Sequence, residues 1–136
     1  MLAAAPFAHL APVTVLLADG HAEARARLHG WLAAYLPQAS VLTAGDGDEA
    51  VVMALANPLD LILLDCSLPR LNGLEAARQI RAGAPRARVV LLTQRGSAQE
   101  QSAAWLAGAS AYVEKGRLPA ELPRLLEQFF SPEQVR

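Results

Sequence analysis

The chain has 136 residues, of which 53% are hydrophobic and 18% charged, with a net charge of -1. That length builds one domain with a sizeable core and is too short for two ordinary ones, and the near-neutral balance removes the electrostatic case for nucleic acid or an anionic membrane as partner. The lone Cys66 excludes an intramolecular disulfide framework and suits a reducing cytoplasm, and no apolar run reaches the roughly 18 residues a membrane-spanning helix needs, so a soluble, cytoplasmic protein is expected.

Met1 to Ala11 is apolar and Ala-rich but lacks a basic n-region, and Pro6 and His9 interrupt it, so residues 1–11 read as a loose tail rather than a signal peptide. Val13-Thr14-Val15-Leu16-Leu17-Ala18 is the first strand-like run, and Asp19 closes it. Ala24, Leu28, Trp31, Leu32 and Tyr35 then recur at three- and four-residue steps, a helical stripe able to cover one face of a sheet. His21 opens this helix, as a polar start residue or as a group lining a site; His29 lies mid-helix with no partner signal. A second helix runs from Asp48 to Ala56 and is stopped by Asn57-Pro58. Asp46, Asp48 and Glu49 read as a solvated turn and helix start.

The run Leu61-Ile62-Leu63-Leu64 ends in Asp65, and the loop from Cys66 to Gly73 leads into a third helix marked by Leu74, Ala77 and Ile80. Cys66 itself reads as a small buried thiol. Val89-Val90-Leu91-Leu92 is closed by Thr93, and Ser97 is placed to cap a fourth helix that runs through Trp105 to a Gly108 stop. Ala111-Tyr112-Val113 is followed by Lys115, and Leu122, Leu125, Leu126 and Phe129 mark the last helix. Pro119 and Pro123 conflict there. An interior proline costs about 3 kcal/mol, so this helix is expected to start near Leu122 or to be distorted.

Strands that are apolar throughout are buried on both faces, which requires a parallel sheet with helices on each side. The order is five βα units, an α/β fold. Open sheets of this kind bind ligands outside the carboxyl ends of their strands, where Asp19, Asp65, Thr93 and Lys115 converge. Each has a bland reading alone: Asp19 and Asp65 as capping acids, Thr93 as a strand residue, Lys115 as a solvated lysine, Tyr112 as core. Their convergence on one sheet edge argues for a site.

From Val13 to Phe130 the chain resembles a response-regulator receiver domain of two-component signalling. The likeness rests on Leu16 to His21, Asp60 to Asp65 with Pro69 and Asn72-Gly73-Leu74-Glu75, Leu91-Leu92-Thr93, and Gly108 to Lys115, in this order and spacing. It implies a flavodoxin-like (βα)5 three-layer sandwich with strand order 2-1-3-4-5, a receiver domain over residues 12–131, and a short tail or linker start at 132–136. It implies Asp65 as phosphoacceptor, taking a phosphoryl group from a phosphohistidine of a sensor histidine kinase or phosphotransfer protein. Such a domain is a signalling switch, not an enzyme beyond self-catalysed phosphotransfer and dephosphorylation. Mg²⁺ is the implied cofactor, held by Asp19, Asp65 and the Ser67 carbonyl. Lys115 and Thr93 would bind phosphoryl oxygens, and Thr93 and Tyr112 would remodel the surface around the fourth and fifth helices.

The departures from the family pattern bear on function. Receivers usually carry two consecutive acids after the first strand, and here the second position is Gly20. At about 4 Å and an effective dielectric near 20, a unit charge and a divalent ion attract by roughly 8 kcal/mol gross, so weak Mg²⁺ binding is expected. Gln94 stands where the family keeps a small residue and narrows the entrance, while Arg95 either reaches a phosphate or points to solvent. Gly116 replaces a common proline, so no cis bond is expected there and the loop should be freer.

A phosphorylation-independent interaction module is therefore the alternative reading, favoured by Gly20. A haloacid-dehalogenase-type phosphatase would want a second Asp where Ser67 stands, and a dinucleotide or flavin binder would want a Gly-rich loop after the first strand. Only Ser131 to Arg136 remain after Phe130, so the sequence reads as a stand-alone receiver or a piece of a longer regulator. Homodimerisation through the fourth and fifth helices is a family expectation that the two prolines leave open.

Overall fold

The computed structural model describes residues 12–130. The expectations for residues 1–11 and for the end of the chain from 131 lie outside them. Five strands alternate with five helices: β1 (Thr14–Ala18), α1 (Ala22–Tyr35), β2 (Ser40–Ala44), α2 (Gly47–Ala56), β3 (Leu61–Asp65), α3 (Gly73–Gly83), β4 (Arg88–Thr93), α4 (Ala98–Leu106), β5 (Ala111–Glu114) and α5 (Leu118–Phe130). All strands are parallel, in the order β2-β1-β3-β4-β5. This is the flavodoxin-like arrangement expected of the sequence. No described helix is long and apolar enough to cross a membrane.

Period-two alternation divides the apolar strands between two cores. Leu16, Ile62, Leu64 and Leu91 face α2, α3 and α4, where Ala50, Ala54, Ala76, Ala77, Ile80 and Ala104 let the helices lie close to the sheet. Val15, Leu17, Leu63, Val90 and Leu92 face α1 and α5, meeting Leu32, Leu122, Leu126 and Phe129. β3 is buried along its whole length, as the central strand of a three-layer sandwich must be. β2 is different. It pairs on one side only and keeps Ser40 and Thr43 exposed, so it lacks the continuous apolar run that marks the inner strands.

Helix ends follow local side-chain chemistry. Asp46, Asn72 and Ser97 cap α2, α3 and α4, their side-chain oxygens accepting from the backbone N–H of Glu49, Glu75 and Glu100 at 2.8, 2.9 and 3.0 Å. Glu49 reaches back to accept from Gly45 N at 2.6 Å, so part of the acidic cluster is a reciprocal cap. Beyond α4 the chain reverses at Gly108, whose φ of 91° a residue with a Cβ adopts only under strain.

The last helix departs from expectation. It begins at Leu118, directly after a 3-10 turn over Lys115–Arg117, and runs continuously through Pro123. Pro119 fits at the second helical position, but Pro123 withdraws the donor that the Pro119 carbonyl would receive, at about 3 kcal/mol. Starting early buries Leu118 completely alongside Leu122. At about 1.5–3 kcal/mol for a buried leucine, the burial of Leu118 offsets half or more of that cost. The segment after Lys115 is therefore a helical turn. There is no cis peptide bond among the described residues.

Candidate functional site

The two acids arrive on neighbouring strands. β1 and β3 pair in parallel through Ala18 and Leu64, so Asp19 and Asp65, each the next residue along, emerge side by side at the carboxyl edge. Both are buried, at 0% and 2% exposure. Each carboxylate first satisfies its own turn: Asp19 Oδ1 accepts from His21 N at 2.9 Å, and Asp65 Oδ1 accepts from Ser67 N at 3.0 Å. These local bonds are the capping interactions that such acids make at helix starts and turns. They leave the Oδ2 atoms to be partnered from elsewhere.

That partner is Lys115, brought in from the end of β5. Its Nζ donates to Asp19 Oδ2 at 2.9 Å and to Asp65 Oδ2 at 3.0 Å. Burial works against the ammonium, but the hydrogen bonds to Asp19 and Asp65 and the charges of both outweigh it, holding the Lys115 pKa above its ordinary value. Lys115 is thus a half-buried bridge rather than a solvated lysine. Two carboxylates share one cation, leaving a net negative pocket.

Thr93 ends β4 and is buried, with its hydroxyl donating to the carbonyl of Arg95 at 3.3 Å. Tyr112 is half-buried on β5, one strand away. Its hydroxyl donates to Glu100 Oε1 on α4 and accepts from Ser97 N at 3.2 Å. Burial and the Glu100 bond raise the Tyr112 pKa. Glu114 adds a further tie, its Oε2 accepting from Gly96 N at 3.1 Å. The β4–α4 connection is thereby fastened to β5 by two side chains.

An open groove of about 1200 Å³ spreads from this edge along α1, with Gly20, His21, Asp65, Ser67, Gln94 and Lys115 around its charged end. Gln94 is exposed and lines the groove. Arg95 is exposed and does not line the groove. Gly20 lies beneath the loop that follows Asp65. A Cβ built on it would stand 2.7 Å from Pro69 Cδ, so Pro69 closes the space a side chain would need.

His21 immediately precedes α1, two residues from Asp19. Its Nδ1 lies 3.5 Å from Asp19 Oδ1 while its side chain is 76% exposed. Asp19, His21 and Asp65 each offer a ligand atom within 4.8 Å of the others, a group that can hold a metal ion. Lys115 already shows that the two carboxylates attract a cation. The donor set is two hard oxygens and one imidazole nitrogen, with nothing from position 20. Glu100 and Ser97, the partners of Tyr112, carried no signal in the sequence beyond the α4 cap. Cys66, buried beside this edge, has its thiol pushed up to about 12 by burial and by the charges of Glu100 and Asp65, so it is an inert thiol.

Residues 15–127 match the family model described as the response regulator receiver domain. Response regulator UvrY of Escherichia coli O6:H1 is 31% identical over 119 residues, covering 88% of this chain and 55% of that protein. The chain thus spans about half the length of this curated relative. Among solved structures, the receiver domain of a sensor histidine kinase from Pseudomonas aeruginosa PAO1, with magnesium coordinated in its active-site cleft, superposes with a TM-score of 0.77 at 30% identity, covering 88% of this chain and 98% of that one. The receiver domain of a Saccharomyces cerevisiae response regulator, solved together with its histidine phosphotransfer signalling protein, gives a TM-score of 0.78 at 26% identity, covering 89% and 90%.

Proposed function

The chain belongs to the response-regulator receiver family, and on that premise we propose that it accepts a phosphoryl group on Asp65 from a phosphohistidine partner and changes shape around α4 and α5 in response. The observation that carries this reading is Lys115 bridging the Oδ2 atoms of Asp19 and Asp65 at the carboxyl edge of the sheet. In the transfer, an Asp65 carboxylate oxygen forms the new P–O bond as the P–N bond to the partner imidazole breaks, and the departing imidazole keeps the electron pair. The incoming phosphoryl group is anionic and so is Asp65, so positive charge must be concentrated there. Lys115 supplies one unit of it, able to follow the phosphoryl oxygens without leaving Asp19.

A Mg²⁺ ion held by Asp19, Asp65 and the Ser67 carbonyl would supply the remaining charge neutralisation, weakly because Gly20 adds no carboxylate. Thr93 then gives up the Arg95 carbonyl, a long 3.3 Å bond, to donate to a phosphoryl oxygen. Its movement draws on the β4–α4 connection, and Tyr112 exchanges its Glu100 and Ser97 partners for an inward position. The partner is a sensor histidine kinase or histidine phosphotransfer protein, and the domain works as a cytoplasmic signalling switch rather than as an enzyme. The exposed Trp105 and Leu106 on α4 belong to the face that this rearrangement would present to a downstream target or a second copy.

Gly20 supports a second reading, a receiver-like module that binds its partner without a phosphorylation cycle. Pro69 packs over the position of the absent acid, and Lys115 pairs with both carboxylates. Intact mass after incubation with Mg²⁺ and acetyl phosphate separates the two. A phosphoryl adduct that needs Mg²⁺ and is missing from Asp65→Asn establishes the phosphoacceptor; its absence from folded protein at high donor and metal assigns the module.

A further inference from the structure

We propose that His21 stands in for the absent carboxylate as a metal ligand, so that the acidic edge selects a borderline divalent cation of the zinc, nickel and cobalt class over Mg²⁺. The proposal deepens the receiver reading and rests on it, taking Asp19 and Asp65 as the metal-holding edge.

Three observations carry it. The first is position: the Asp19 Oδ1 bond to His21 N turns the chain so that the imidazole comes to 3.5 Å from the same oxygen, on the opposite side of the carboxylate from Lys115. The second is accessibility. With the His21 side chain 76% exposed, its ring can reorient toward an ion without repacking the core. The ligand atoms of Asp19, His21 and Asp65 already lie within 4.8 Å of one another. Donors about 2.1 Å from a shared ion stand at most about 4.2 Å apart, so the set closes with shifts below about 1 Å.

The third is exclusion. Position 20 is glycine and offers no side-chain ligand, and Pro69 Cδ, 2.7 Å from where its Cβ would stand, occupies the space an acid there would use. The third side-chain donor at this edge is therefore a nitrogen. Mg²⁺ is a hard ion that takes oxygen ligands and binds imidazole poorly, whereas imidazole suits zinc, nickel and cobalt. Replacing a carboxylate by a histidine lowers the charge of the pocket and softens its donor set, and both changes penalise Mg²⁺ relative to the borderline ions.

Calorimetric titration of the 136-residue chain with Ni²⁺ and separately with Mg²⁺ tests this, using His21→Ala and Asp19→Asn, each checked by thermal melting for an intact fold. The expected result is a loss of Ni²⁺ affinity on the order of tenfold or more in His21→Ala with Mg²⁺ affinity unchanged, and loss of both in Asp19→Asn. Equal Ni²⁺ affinity in wild type and His21→Ala overturns the proposal. So does a parallel fall in Mg²⁺ affinity, which would make His21 a support of the loop, and so does Ni²⁺ binding indifferent to Asp19→Asn, which would place the ion on histidines elsewhere. Failure of the phosphoacceptor reading shows differently, as no phosphoryl adduct with any of the metals while the His21-dependent Ni²⁺ affinity persists.

Discussion

On the β1–β3 side of the sheet edge, two carboxylates at 0% and 2% exposure are joined through one ammonium that crosses from β5. On the β4–β5 side, Thr93 and Tyr112 are held by hydrogen bonds without an ion pair: a 3.3 Å bond to a carbonyl, a bond from Ser97 N and one to the half-buried Glu100. The first arrangement is costly to disturb, because an unpaired buried charge has no water to turn to. The second is cheaper, because breaking it separates no ion pair and each hydrogen bond is worth only about 1 kcal/mol net. The costly interactions thus gather around Asp19 and Asp65, and the cheaper ones around the connection from β4 to α4.

The largest break in that contrast comes from Lys115→Met, which keeps the length of the side chain and removes its charge. With two buried acids left uncompensated, stability in chemical denaturation should fall by about 3 kcal/mol. Addition of a divalent cation should recover more stability in this variant than in wild type, since the ion takes the place of the ammonium. If Lys115→Met is as stable as wild type, the bridge contributes nothing and the contrast collapses.

Gly20→Ala tests the same side by shape alone. A methyl group pressed against Pro69 should cost about 1–2 kcal/mol, and Gly20→Ala combined with Pro69→Ala should cost less than the sum of the two single changes. Strict additivity would show that Pro69 does not occupy the space of the missing side chain. Tyr112→Phe probes the opposite side, where the expected loss is only about 0.5–1 kcal/mol, with faster amide exchange at Ser97 as the local sign. A loss as large as that of Lys115→Met would remove the distinction between the two sides.

Cys66 gives the smallest and most local effect. Its folded-state thiol titrates at about 12, above the ordinary 9.0, so the stability tied to the protonated thiol is fully present below pH 9 and is lost as pH rises toward 12. At pH 8 iodoacetamide should label it only when the protein unfolds. Rapid labelling of native protein at that pH would mean that the loop after Asp65 opens readily.

The inner strands were legible because parallel strands need apolar side chains on both faces, and Leu61 to Leu64 can be little else; their order came from the family resemblance, and β2, with Ser40 and Thr43 exposed, carries no such run. Asp65, Asp19 and Lys115 were legible as ends of such runs, and the structure joins them across separations of 50 and 96 residues. Local rules did not reach further. The start of α5 depends on what Leu118 meets in the core, and a rule that charges Pro123 its local cost cannot weigh that burial. The Pro69 ring over Gly20 and the Glu100 partner of Tyr112 are contacts between segments distant in sequence, with no periodicity to announce them. His21 was visible as a residue type, but its value depends on a turn that Asp19 forms with its backbone.

Gly73 shows how the loop after Asp65 is anchored. A Cβ there would fall 2.1 Å from the Asp65 carbonyl oxygen, and Gly73 N donates to Cys66 O at 3.0 Å, so the start of α3 is seated directly on the end of β3. In mechanical terms this end of the loop is a fixed support with no clearance to recoil. The Asp65 side chain therefore projects from a backbone that has no clearance toward α3, and the end of β3 and the start of α3 form one seat.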